Sequence, residues 1–229
     1  SDLLVIGAHN TGPEAFYFGV LDNVYPSYDF WDFTLGSGAY QPKFWNPTFT
    51  LVLSLYDKII MYTDDNTYVN QQTGLNQLVL SSAATSISDF IANGGKALIS
   101  SKFPSNIDPN SALFEVMPMD SISSSSGQAF IGLDSLFVSQ VPEYDDLQPS
   151  SFILSMDPFY PTADAEVIFR ANLETSGGWT GPDIVGARRK NVQNQVTQVF
   201  FSIELHKANG LPTNMENFFD QVLNSDFNW

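Results

Sequence analysis

LNQLVLSSAATSISDFIANGGKALISS, residues 75–101, holds a helix, its stop signal and a buried strand in one run. Leu75, Leu78, Val79, Ile87, Phe90 and Ile91 fall largely on one face at helical spacing. Gly94 and Gly95 follow, and a residue without a Cβ is what a left-handed helix C-cap favours. KALIS is a short apolar strand whose exit turns polar at SSKF. The pattern predicts a helix over roughly 75–93 and a strand over 96–100. Just upstream, YDKIIMYTDD (56–65) places a second strand at 58–63 with an acidic exit. Successive strand–helix units make a parallel sheet with right-handed crossovers the default.

The same grammar extends in both directions. DLLVIG (2–7) is an apolar strand, AHNTGP a turn and EAFYFGVLDNV (14–24) a helix, the opening of a doubly wound sheet. SYDFWDF (27–33) alternates aromatic and polar residues as a strand does, and LGSGAYQPKFWNPT is a loop longer than such connections normally are. From about 105 to 165 the pattern is irregular: NSALFEVMPM suggests a short helix, SISSSSGQ is low in complexity, and DLQPSSFILSMDPFYPTAD mixes strand-like and proline-rich pieces. This middle reads as an insertion or surface excursion within a single domain spanning 1–229. AEVIFRAN, DIVGARRK and TQVFFSIEL are three further strands, the last two a hairpin through NVQNQ, and NMENFFDQVLNSDF is a closing amphipathic helix. The expected fold is α/β, with a mainly parallel, doubly wound sheet and a late β-hairpin.

Composition narrows the chemistry. The chain is 43% hydrophobic, enough to fill a core, and carries a formal charge of −16, which repels nucleic acid and anionic membranes at long range. It has no cysteine, so disulfides, thiolate metal sites and cysteine nucleophiles are all excluded. No apolar run nears the roughly 18 residues of a membrane span. Neither a cofactor nor a metal is expected.

YDKIIMYTDDN, SISDFIANGGKALISS, DIVGARRKN and TQVFFSIELHKANG with its closing helix, taken in this order, resemble the class I glutamine amidotransferase-like superfamily. The resemblance is strongest to its non-amidotransferase relatives in exported bacterial proteins, and it covers most of the chain apart from the middle. It implies a flavodoxin-like fold and an exported, periplasmic or cell-surface location, with any export signal lying upstream of Ser1. Active members carry a glycine-flanked cysteine at the strand-end elbow and a histidine-x-glutamate further along. Here the elbow reads SSKF, and Glu204 precedes His206. Cysteine-dependent glutamine hydrolysis is therefore excluded. The implied role is a non-catalytic binding or structural module, partnered by neighbouring domains of the same polypeptide or by a glycan.

In an open α/β sheet ligands gather outside the strand carboxyl ends, so the candidate residues are those just past each strand. They are His9 and Asn10, Asp64 and Asp65, Ser100 and Ser101, and Glu204 with His206, which takes in both histidines of the chain. A serine, a histidine and a carboxylate converging there would make a hydrolytic triad, the rival reading to polar loop residues that merely cap turns. The serines lack the glycine-x-serine-x-glycine setting of a strained elbow. Asp64, Asp65 and Asn66 offer adjacent oxygens, but their spacing is not that of an EF-hand loop and adjacent acids also begin helices. Tyr40 and Trp45, with Phe44 and Phe49, form either a sugar-stacking platform, the third functional reading, or a cover over the sheet edge. Arg188, Arg189 and Lys190, the one basic cluster, read as a solvated strand end or a local ion pair.

Overall fold

The structure is a computed structural model that describes residues 1–33, 47–65, 67–69, 76–102, 111–122, 127–174 and 178–229. In chain order its elements are β1 (Leu3–Ala8), α1 (Glu14–Val24), β2 (Tyr28–Asp32), α2 (Pro47–Leu53), β3 (Lys58–Thr63), β4 (Thr67–Val69), β5 (Asn76–Leu78) and α3 (Val79–Ala92). There follow β6 (Lys96–Ser101), α4 (Leu113–Val116), β7 (Met119–Ile122), β8 (Phe137–Ser139), β9 (Phe159–Pro161), β10 (Ala165–Ala171), β11 (Ile184–Lys190) and β12 (Val196–Phe201). A 3₁₀ turn (Leu205–Ala208), α5 (Pro212–Asp220) and a π turn (Gln221–Asp226) close the chain.

Eight strands form the central sheet in the order β2-β1-β3-β6-β12-β11-β10-β8. The first five run parallel and the last three join antiparallel, so the sheet is mostly parallel and the fold α/β. Every residue of β1, β3 and β6 is buried, as strands covered on both faces must be. Leu3, Val5, Ile60, Tyr62, Leu98 and Phe201 point to the face covered by α1 and α5. Leu4, Ile6, Ile59, Met61, Ile99 and Phe200 point to the face covered by α2 and α3. Among the described residues no helix is long and apolar enough to cross a membrane.

Two boundaries, and the burial of the middle, stand out against the reading of the sequence. α3 starts at Val79, not near 75, because Asn76–Leu78 pairs antiparallel with Thr67–Val69 and that ladder holds the backbone extended. Leu75 lies outside the described residues. β12 stops at Phe201, short of the predicted TQVFFSIEL, where the chain turns into the 3₁₀ segment. The middle, read as an insertion or surface excursion, contributes buried residues to both faces of the sheet. Ala129, Ile131, Phe137, Leu147 and Ile153 pack on the α1/α5 face, and Leu113, Val116, Met119 and Phe159 on the other. Its irregular sequence hid this because short pieces of strand and turn bury residues without sustained periodicity.

Arg188, the first residue of the basic cluster, is internal, while Arg189 and Lys190 are partly exposed. Arg188 is only 3% exposed and pairs with Glu166 at 2.6 Å, Asp226 at 3.6 Å and Glu143 at 3.7 Å, with its guanidinium over the Tyr144 ring. Arg189 pairs with Asp164 at 3.0 Å and Lys190 with Glu166 at 2.8 Å. The group ties the antiparallel strands to the C-terminal turn. Arg188→Ala strands partly buried carboxylates and should cost roughly 2–3 kcal/mol in urea unfolding, below the cost of a fully buried pair because Glu166 and Glu143 reach water.

The α3 stop is a Schellman motif. Gly95 N–H donates to Phe90 C=O and Gly94 N–H to Ile91 C=O, both at 3.0 Å, and Gly94 has φ +96°. A Cβ on Gly95 would lie 2.3 Å from the Phe90 ring. Gly94→Ala should therefore lower stability by about 1 kcal/mol through backbone strain, and Gly95→Ala by more through the clash. Equilibrium urea denaturation of the two variants beside the wild type checks the order.

Candidate functional site

β1 lies between β2 and β3, so the chain leaves β1 toward one side of the sheet and later returns on the other. The loops after β1 and β3 diverge at such a reversal and leave room at the strand carboxyl ends. There the structure gathers His9 past β1, Asp64 past β3, Ser100 and Ser101 at the tip of β6, and Glu204 and His206 past β12. They meet as a largely buried polar cluster: His9, Asp64, Ser100, Ser101 and Glu204 are each less than a tenth exposed.

His9 is the centre of this cluster. Its Nε2 lies 2.5 Å from Glu204 Oε1. The Thr11 backbone N–H donates to Nδ1 at 3.2 Å, which makes Nδ1 an acceptor and leaves Nε2–H to donate to Glu204. Thr11 Oγ1 also lies 2.9 Å from Nδ1, and Asp64 Oδ2 stands 3.8 Å behind it. Asp64 is in turn held by the Asn10 N–H at 2.9 Å. Lys207 Nζ donates to the second oxygen of Glu204 from one turn along the 3₁₀ segment. The His206 ring meets the His9 ring edge-on, centroids 5.1 Å apart, and makes no hydrogen bond among the described residues.

The electrostatics follow from these contacts. Burial works to raise the Glu204 pKa, but the hydrogen bonds from His9 and Lys207 and the Lys207 charge outweigh it and bring the carboxyl down to about 2. His206 is pushed down to about 4 by burial, which outweighs the attraction of Glu204. At neutral pH the cluster thus holds an ionised Glu204 beside a neutral His206. Behind it Tyr17 stacks on Tyr62 with ring centroids 3.9 Å apart, and burial raises both phenols. Gly7 permits the stack: a Cβ there would lie 2.5 Å from the Tyr62 hydroxyl.

The two elbow serines are committed to structure. Ser100 Oγ donates to Ile203 C=O at 2.8 Å and accepts from Leu205 N–H at 3.0 Å, gripping the backbone on both sides of Glu204. Ser101 Oγ shares a 2.6 Å hydrogen bond with Thr63 Oγ1. Neither hydroxyl bonds a histidine among the described residues. Lys102 pairs with Asp65 at 2.8 Å, and burial raises the carboxyl of nearby Asp157 against the attraction of Lys102.

Of the residues singled out in the sequence, His9, Asp64, Ser100, Glu204 and His206 thus come together. Asp65 turns to Lys102, and Tyr40 and Trp45 lie outside the described residues. Thr11, Lys102, Asp157 and Lys207 were not marked as site residues. For Lys207 a signal existed, its position three residues after Glu204; Asp157 had none, coming from the irregular middle. A depression of about 260 Å³ bordered by Ser54, Asp57, Asp89 and Gly94 opens at the other, amino-terminal end of the strands.

No protein-family model matches the chain, and no curated protein does. Among solved structures it is similar to the exo-β-1,4-mannosidase Op5Man5 from Opitutaceae bacterium strain TAV5, at 10% identity and a TM-score of 0.46, over 97% of this chain and 35% of that one. It is also similar to Agd3, a carbohydrate deacetylase, at 11% identity and a TM-score of 0.46, over 91% of this chain and 31% of that one. The chain spans about a third of the length of each.

The pKa shifts set an acid limit. His206 takes up a proton near 6.5 when unfolded but only near 4 when folded, so between those values the unfolded state binds more protons and stability falls as pH falls. Glu204 extends the loss from about 4.5 toward 2, the range over which its carboxylate form favours the folded state. Thermal unfolding from pH 7 to 3 should show a progressive loss, and His206→Gln should flatten its pH 6.5–4 portion, an effect of order 1–3 kcal/mol.

Proposed function

We propose that the chain is a non-catalytic binding or structural module of an exported or surface-anchored bacterial protein, built on an amidotransferase-like, flavodoxin-like scaffold. The 2-1-3-4-5 order of its parallel strands, counted along the chain, supports the flavodoxin-like part of that reading. The resemblance of its segments, in order, supports the amidotransferase-like part. One observation carries the non-catalytic part: at the tip of β6, where an active relative presents its nucleophile, Ser100 uses its hydroxyl to hold the backbone on either side of Glu204. An activated nucleophile needs a base within hydrogen-bond reach and room for the reacting carbon. Ser100 and Ser101 are each 1% exposed and bond to backbone or to Thr63. What the strand ends offer is a preorganised set of polar groups suited to holding a ligand.

Hydrolysis of a p-nitrophenyl ester and of glutamine, measured on wild type, Ser100→Ala and Ser101→Ala, tests the reading. The expected result is no turnover above buffer for all three. Ser100→Ala should also lose about 1–3 kcal/mol of stability, because the buried Leu205 N–H loses its acceptor. Ester turnover by the wild type that Ser101→Ala abolishes would overturn the proposal.

A further inference from the structure

We propose that His9, Glu204 and His206 form a binding site for a divalent transition metal of the zinc class. Each of the three offers one ligand atom, and these atoms lie within 4.8 Å of one another. They are the only such group among the described residues, and they use both histidines of the chain. Two imidazoles and one carboxylate suit zinc, which takes nitrogen and oxygen ligands at about 2.0–2.2 Å and so spaces them about 3.3 Å apart. Calcium and magnesium select oxygen donors instead. The inference stands apart from the serine argument, since it concerns what the strand ends bind and not whether the elbow attacks.

A purely structural account, a buried hydrogen-bonded pair linking the ends of β1 and β12, explains His9 and Glu204. It leaves the ring nitrogens of His206 without a role: a half-buried imidazole, edge-on to His9 and beside Phe16, that makes no hydrogen bond among the described residues. A metal between the three gives each ring a partner. The 2.5 Å contact of His9 Nε2 with Glu204 opens by under about 1 Å, and contacts as wide as 4.8 Å close by up to about 1.5 Å. Protons balance without loss. The metal replaces the Nε2 proton, which passes to Nδ1; Thr11 Oγ1 at 2.9 Å accepts it, the Asp64 carboxylate stands 3.8 Å away, and the Thr11 N–H, 3.2 Å from Nδ1, gives up that acceptor. A carboxylate or hydroxyl behind the metal-bound imidazole is the usual arrangement fixing its tautomer. Lys207 keeps the second oxygen of Glu204, and Ser100 keeps the backbone on both sides of it in place. A fourth coordination position is left for water or for a donor atom of a bound ligand.

The experiment uses zinc chloride alone on the whole chain at pH 7.5, in millimolar magnesium to saturate the acidic surface. Equilibrium dialysis should find about one zinc per chain at micromolar free zinc. The affinity should fall at least tenfold in His206→Gln. In parallel, the two histidine ring signals in the proton NMR spectrum of the wild type should both shift, reaching their end point at one equivalent. That readout needs no variant. No zinc retained against magnesium, equal affinity in a folded His206→Gln protein, or a zinc titration that leaves either histidine signal in place would each overturn the proposal.

Discussion

Burial of β1, β3 and β6 on both faces is the constraint from which the rest follows. A strand covered above and below has no side of its own to keep polar, so its ladder must satisfy the backbone and its polar side chains must wait for the ends. At the carboxyl ends those side chains arrive together from separate parts of the chain. There they are still largely out of water, and each needs a partner. His9 finds Glu204, Asp64 the Asn10 N–H, Ser101 finds Thr63 and Ser100 the turn after β12. The polar cluster is the sheet's own termination, assembled under the same demand for satisfied groups as the core.

Within that cluster Ser100 joins distant parts of the chain through backbone contacts. It belongs to β6 and bonds to Ile203 and Leu205, more than a hundred positions further along the chain. By holding both neighbours of Glu204 it directs that carboxylate toward His9. The Ser100 hydroxyl is thus a joint between the carboxyl ends of two parallel strands. The opposite electrostatic arrangement stands at the antiparallel edge, where buried Arg188 collects carboxylates from Glu166, Glu143 and Asp226. In a chain of net charge −16, Lys58 pairs with Asp2 and Lys102 with Asp65 in the same way.

The sequence by itself determined the scaffold. DLLVIG, KIIMYT and KALIS are recognisable because doubly covered strands are short apolar runs, and α1 is found at Glu14–Val24 where the pattern put it. The helix-ending role of the Gly94–Gly95 pair was equally visible; the structure places the left-handed φ of +96° at Gly94. The strand-exit rule also put His9, Asp64, Ser100, Glu204 and His206 at one edge. Tertiary structure alone decided what those residues do there. That Ser100 grips backbone, that Glu204 sits between His9 and Lys207, and that residues 127–165 build core all depend on contacts between distant segments. Such contacts leave no local period to read, because they are set by how whole elements stack and by which polar group remains unsatisfied when they do.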